Sequence, residues 1–287
     1  MRLAFAGIHR GEEPPVTGKG GSGIIFVSGC NLGCAFCQNF QVSQKGMGRP
    51  VDTEEFAQLC LSLQQRGAEN INIVTGSHAA PALAEGIRAA REQGLSIPVL
   101  WNSSGYDGEE TLELLEDLVD VYLPDLKTVD PSFAAAFFNA QDYPEHTVRA
   151  VRKMMEYREL RFNGPAMVSG VMVRHLVVPG FLETTRKVLA WFSENCTGRG
   201  NSGRALLSLM TQYTPVKIPG TETGIPSRHI SKDEYDDVLA MLDEYGIDDG
   251  FCQELVTGDD WLPDFMRPNP FSSELSVPVW HWHYGKN

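Results

Sequence analysis

Short apolar runs alternate with amphipathic stretches along most of this chain, and that alternation restricts the fold more than any other feature. Ile24 to Val27, Ile71 to Val74, Pro98 to Trp101, Val121 to Leu123, Val171 to Val178 and Leu206 to Met210 read as strands bounded by turn residues, with a possible last strand near Phe251. Between them, Thr53 to Arg66 reads as a helix capped by Thr53 or Asp52, with Phe56, Leu59, Cys60 and Leu63 on one face. Further helices are expected at Pro81 to Gln93, Glu109 to Leu118, Ser132 to Phe138, Glu145 to Leu160, Glu183 to Glu194 and Lys232 to Glu244. Parallel neighbours need a long crossover, and a helix supplies it, so at least six β/α repeats predict an α/β fold with a parallel sheet. The pattern leaves both a barrel and an open doubly wound sheet standing. Either one places ligands at the carboxyl ends of the strands.

No G-x-G-x-x-G follows a strand, the Gly18 to Gly23 cluster precedes one, and a Walker A loop is missing, so the common nucleotide fingerprints are not supported. A single domain over residues 1–287 is expected, with an irregular lead-in over 1–22 and an irregular tail over 261–287, beginning at Trp261. His281 and His283 flank Trp282 in that tail and read as surface residues in preference to metal ligands. The formal net charge of -13 argues against a nucleic-acid partner, because such binding rests on Lys and Arg neutralising phosphates. The basic run Arg149, Arg152, Lys153, Arg158 and Arg161 reads as a solvated helix face. No apolar run reaches the roughly 18 to 20 residues of a membrane span, and no secretory signal is evident, so no membrane partner and a cytoplasmic location are expected.

The cysteines are distributed unevenly. Cys30, Cys34 and Cys37 lie together directly after the first strand, in the pattern C-x3-C-x2-C, while Cys60, Cys196 and Cys252 are scattered and read as buried small hydrophobes. Three clustered thiolates suit an iron–sulfur cluster or zinc. A closed zinc site wants a fourth ligand, usually from a second paired motif, and none stands at recognisable spacing. A cluster held by three cysteines leaves one iron open to a cofactor or substrate.

This spacing, with Phe36 just before the last cysteine, resembles the signature of the radical S-adenosylmethionine (SAM) superfamily. His9-Arg10-Gly11-Glu12-Glu13-Pro14-Pro15, Gly21-Ser22-Gly23, Ser28-Gly29-Cys30-Asn31-Leu32 and Cys37-Gln38-Asn39 look like the branch related to pyruvate formate-lyase activating enzyme, over about residues 2 to 271. The resemblance implies a partial (β/α)6 barrel with parallel strands, a 4Fe-4S cluster on Cys30, Cys34 and Cys37, and SAM on the open iron. It also implies reductive cleavage of SAM to a 5'-deoxyadenosyl radical that abstracts hydrogen, with electrons from a reductant such as flavodoxin or ferredoxin. Longer relatives carry a further cysteine-rich segment upstream, and a function that depends on it is not expected of this sequence.

Candidate SAM contacts follow from the same resemblance. Gly76 and Ser77, after the second strand, stand where the superfamily has a Gly-Gly-Glu type turn, although only one glycine matches. Asn102 and Ser103 resemble a Thr-Asn-Gly segment, and Asp125 with Lys127 matches an Asp-x-Lys. Arg174 resembles an arginine that pairs with the SAM carboxylate, and of Arg174 and His175 alternation leaves one facing inward. Gln212 and Tyr213 stand where they would line the adenine or the substrate pocket, or serve as plain wall residues. Glu12 and Glu13 read either as a substrate-facing acid pair or as salt-bridge partners. No further catalytic residue is assigned. Three functions remain: activation of a glycyl radical on a partner protein, radical modification of a small molecule or peptide, and a non-catalytic iron–sulfur protein.

Overall fold

The computed structural model describes residues 1–198, 204–218, 224–258 and 262–286; Trp261 lies outside them. The chain opens with β1 (Arg2–His9), a one-turn helix α1 (Pro14–Thr17) and β2 (Ser22–Val27), and after the cysteine loop come α2 (Phe40–Ser43), β3 (Arg49–Pro50) and α3 (Thr53–Gln65). The alternation then runs through β4 (Ile71–Val74), α4 (Ala80–Glu92), β5 (Val99–Ser103), α5 (Glu109–Leu115) and β6 (Val121–Pro124). Two helices follow, α6 (Pro131–Phe138) and α7 (Tyr143–Tyr157), before the hairpin β7 (Arg161–Asn163) and β8 (Ala166–Leu176). The chain closes with α8 (Leu182–Cys196), β9 (Leu206–Met210), α9 (Lys232–Glu244), β10 (Gly250–Cys252), β11 (Ser276–His281) and β12 (Gly285–Lys286).

Strands β2, β4, β5, β6, β8, β9 and β10 are neighbours in that order and pair in parallel. Alternation separates two faces. Ile25, Ile73, Trp101, Tyr122, Val173 and Leu207 join the helix-covered core, whereas Leu100, Val121, Leu123, Met172 and Leu206 cluster together on the other face. Residues from both ends of this parallel run also wall one cavity, so the sheet curls into a partial barrel that does not close. The helices form by ordinary signals. Asp52 caps α3 by accepting from Glu55 N at 2.8 Å, and Ser231 with Glu234 makes a capping box on α9.

Two stretches expected to be irregular carry strands. Within 1–22, β1 pairs antiparallel with β2, and within 261–287, β11 pairs antiparallel with β1 and with β12. Because β1 runs against β2, its end at His9 delivers the next residues to the amino-terminal end of the parallel strands, where α1 plugs the barrel. Val16 packs among the inward residues Leu100, Val121, Met172 and Leu206, and Asn70 Nδ2 donates to Val16 O at 2.7 Å.

In the tail, His281 Nε2 lies 3.1 Å from Phe265 O and Nδ1 accepts from His283 N at 3.1 Å, which leaves neither ring nitrogen for a metal. Arg149 pairs with Glu145 and Lys153 with Glu156 on α7, and Arg158 Nε donates to Val119 O at 2.7 Å. No helix among the described residues is long and apolar enough to cross a membrane.

Candidate active site

A cavity of about 590 Å³ occupies the lumen, within the range of small-molecule sites. Cys34, Cys37 and Gln38 line it at the cysteine loop, and Asn102, Asp125, Lys127, Leu176, Met210 and Gln212 line it from the carboxyl ends of the strands. The loop is held from several sides. Gly29 has φ +99°, and a side chain there would meet the His78 imidazole at 2.7 Å, while His78 Nε2 is itself 2.8 Å from Ser28 O. Ala35 N donates to Phe137 O at 2.8 Å, Gln44 Nε2 to Cys34 O at 2.8 Å, and Asn31 Nδ2 to Tyr106 O at 2.6 Å.

Burial pushes the thiols of Cys30, Cys34 and Cys37 up, so in the metal-free chain they favour the protonated form, and the Lys127 cation opposes this at all three. Cys30 Sγ accepts from Leu32 N at 3.4 Å, and Cys37 Sγ lies 3.2 Å from Ser43 Oγ. In a cubane each thiolate binds a separate iron, and hydrogen bonds to sulfur support the charge. The donor set therefore fits a 4Fe-4S cluster. Phe36 packs against Phe133, Phe137, Phe138 and Tyr213 at centroid distances of 5.8 to 6.5 Å, making a dry backing for the loop.

The structure sorts the candidate SAM residues into two groups. Asn102, Asp125, Lys127, Arg174 and Gln212 line the same cavity as Cys34 and Cys37, whereas Gly76, Ser77 and Ser103 do not. Strand alternation turns Ser103 to the outer side with Trp101. There the buried carboxylate of Asp107 accepts from Ser77 Oγ at 2.7 Å, Ser103 Oγ at 2.5 Å and Trp101 Nε1 at 3.2 Å. Burial raises the Asp107 pKa against these three donors. Gly76 is required for packing, since a Cβ would lie 2.5 Å from the Trp101 ring. Asp107 escaped the sequence reading, although it stands just beyond the Asn102 to Tyr106 segment that drew attention.

Lys127 Nζ pairs with the Asp125 carboxylate inside the cavity. Burial works against the lysine charge, but the Asp125 carboxylate and the Cys34 sulfur outweigh it and raise the Lys127 pKa. Tyr143 Oη sits behind them, within 2.8 Å of Asp125 O and 2.9 Å of Ser104 O, and accepts from Lys127 N at 3.0 Å.

Arg174 faces inward, where its guanidinium pairs with two carboxylates of the chain itself, Glu12 and Glu13. Its Nε donates to Glu13 Oε1 at 2.9 Å and its NH2 to Glu12 at 2.5 Å and to Glu13 Oε2. Ser208 Oγ adds a bond to Glu13 Oε1 at 2.6 Å. His175 points the other way, with Nδ1 2.8 Å from Leu126 O and Nε2 3.0 Å from Thr185 Oγ1. Gln212 Oε1 accepts from Gln253 Nε2 at 3.1 Å, and Tyr213 turns aside to donate to Pro226 O at 2.8 Å. Cys60 and Cys196 are buried as expected; Cys252, on the edge strand β10, is exposed and lines the cavity.

A family model described as the radical SAM superfamily matches residues 24–190, more than half of the chain. The chain belongs to the radical SAM superfamily. Its matched span opens at β2 and ends in α8, covering the cysteine loop and the strands through β8. An uncharacterized protein of Methanocaldococcus jannaschii is 28% identical over 251 residues, covering 84% of this chain and 67% of the relative. Streptococcus suis SuiB, in a structure bound to S-adenosylmethionine, superposes with a TM-score of 0.55 at 13% identity, over 80% of this chain and 46% of SuiB. HydG, a maturase of the FeFe hydrogenase, gives 0.56 at 14% identity, over 76% of this chain and 48% of HydG. This radical SAM chain thus spans about half the length of those two proteins, and at such identities the likeness concerns the fold.

Proposed function

We propose that this chain is an enzyme that binds a 4Fe-4S cluster through Cys30, Cys34 and Cys37, cleaves SAM reductively, and acts on a small molecule or peptide group in the barrel lumen. The observation that carries the reading is the sharing of one cavity by Cys34 and Cys37 with Asn102, Asp125, Lys127 and the Arg174 cluster. Cys30, Cys34 and Cys37 would hold the cluster, which would supply one-electron reduction of SAM and, through it, hydrogen-atom abstraction from the substrate. The chain's part is to bind, orient and exclude water. Asn102 presents its side chain at the strand ends, the Asp125–Lys127 pair offers both an acceptor and a cation for polar groups of SAM, and the Phe36 cluster keeps water from the loop. A reductant of the flavodoxin or ferredoxin kind would supply the electron, in a compartment reducing enough to keep all six cysteines free.

The lumen favours a compact substrate. Phe265 and Phe271 pack onto Phe26 at 5.0 and 5.8 Å, so the C-terminal segment narrows the lumen on the β2 side, which supports a compact substrate. The test is anaerobic reconstitution with iron and sulfide, reduction by dithionite, addition of SAM and assay of 5'-deoxyadenosine. Production that depends on all three cysteines is expected. A cluster that forms but neither binds nor cleaves SAM would make this an electron-transfer or structural protein, and radical transfer to a glycine of a partner would restore the activating-enzyme reading.

A further inference from the structure

The floor of the cavity carries polar groups left without a task by SAM cleavage. Glu12, Glu13, His9, Arg174 and Ser208 all line it. Glu13 is satisfied by Arg174 and Ser208: burial pushes its pKa up, but the Arg174 cation and the bonds from Arg174 and Ser208 outweigh burial and leave it a carboxylate with a lowered pKa. Glu12 is not satisfied: Oε2 accepts from Arg174, while Oε1 accepts no hydrogen bond from the described residues. His9 is 6% exposed, its Nδ1 is buried without a partner, and its Nε2 bonds to none of the described residues. The ring packs against Phe271 in a tilted arrangement at 4.8 Å between centroids. Burial lowers the His9 pKa, so the imidazole is neutral, and either tautomer leaves one ring nitrogen as an acceptor.

Two carboxylates against one guanidinium give the floor one net negative charge in a partly dehydrated lumen, where charge acts strongly. Unused acceptor capacity and a negative charge call for a cation with several donors. An anion would meet Glu12, and the Arg174 charge is already outweighed by the two carboxylates that its Nε and NH2 bond. We propose that this floor is a recognition subsite for a protonated amine at the far end of the substrate, held by Glu12 Oε1 and the free acceptor nitrogen of His9. The inference rests on the lumen being the substrate's place, as proposed above, and it narrows the substrate class to compact molecules or peptide side chains that carry an ammonium group.

The test uses the reconstituted protein with SAM and three probes of equal length: n-pentylamine, n-pentanol and pentanoate. Calorimetric titration should show saturable binding of the amine and little of the other two, and Glu12→Gln should weaken the amine by at least about tenfold, as loss of a charge-assisted hydrogen bond does. His9→Phe, which keeps an aromatic ring against Phe271, should weaken it as well and serves if the Glu12 variant fails to fold. Preference for pentanoate, equal binding by wild type and both variants, or no amine binding would each overturn the proposal. Probe-free 5'-deoxyadenosine formation, measured alongside, separates the two readings. Its absence with amine binding intact counts against the radical chemistry, and its presence without amine binding counts against the subsite.

Discussion

The side-chain amide of Gln38 donates to the backbone carbonyl of Gln212 at 2.7 Å, joining the residue after the last cysteine to the segment beyond β9. β2 and β9 lie far apart along the parallel run, so this bond spans the unclosed side of the barrel. Removing it by Gln38→Ala should leave the fold standing while loosening the loop. A net loss near 1 kcal/mol corresponds to about fivefold weaker SAM binding, read by equilibrium dialysis on the reconstituted protein. Unchanged affinity would show that the loop is held by its other anchors alone.

The cysteines divide by position in the fold. Cys34→Ala should abolish cluster assembly and SAM cleavage together, seen as loss of bound iron, bound sulfide and 5'-deoxyadenosine. Cys60 sits fully buried on the inner face of α3, remote from the cavity lining, and Cys60→Ala should retain both activities at a cost of about 1 kcal/mol in stability. Loss of the cluster in the Cys60 variant would contradict this division.

How far the sequence could be read follows from range. The strands β4 and β9 and the helix α9 stand at their expected bounds because short-range periodicity decides them. β11 is not legible locally because its pairing with β1 spans more than 260 positions, which no local window records, and β1 stands between that partner and β2. The three cysteines are adjacent in sequence and declare themselves; Arg174 and Glu13 are 161 positions apart, so the chain's own anion for that guanidinium emerges only on folding. The partner of Ser77 and Ser103 emerges in the same way: one stands in the turn after β4 and the other at the end of β5, and a carboxylate on the outer side takes both hydroxyls.

That carboxylate yields a prediction of its own. Asp107→Ala strands the buried Ser103 hydroxyl and Trp101 indole N–H and frees the half-buried Ser77 hydroxyl, and unsatisfied buried donors cost about 1 to 3 kcal/mol each. Relaxation of the two hydroxyls should limit the loss to about 2 to 4 kcal/mol, measured as a lowered urea midpoint. SAM affinity should fall too, because the turn after β4 and the end of β5 lose their shared anchor. A variant as stable as wild type would show that the serines find other partners.

His175 gives the protein a definite acid sensitivity. Burial between β8 and α8 is the main cause holding its pKa down to about 4 from 6.5. A folded-state pKa below the unfolded one means that the unfolded chain binds the extra proton, so the stabilising contribution is complete above pH 6.5 and is lost as pH falls toward 4. The full loss is about 3 kcal/mol. His175→Gln offers an amide to Leu126 O and Thr185 without a titrating group, and should be less stable at neutral pH yet flatter below it. Urea midpoints taken between about pH 7 and about pH 5 lie above the range where ordinary carboxylates protonate, and because the buried His9 and His281 are also held down, the difference between wild type and variant isolates this group. Wild type should decline more steeply across that window than the variant; parallel declines would assign the acid sensitivity to another residue.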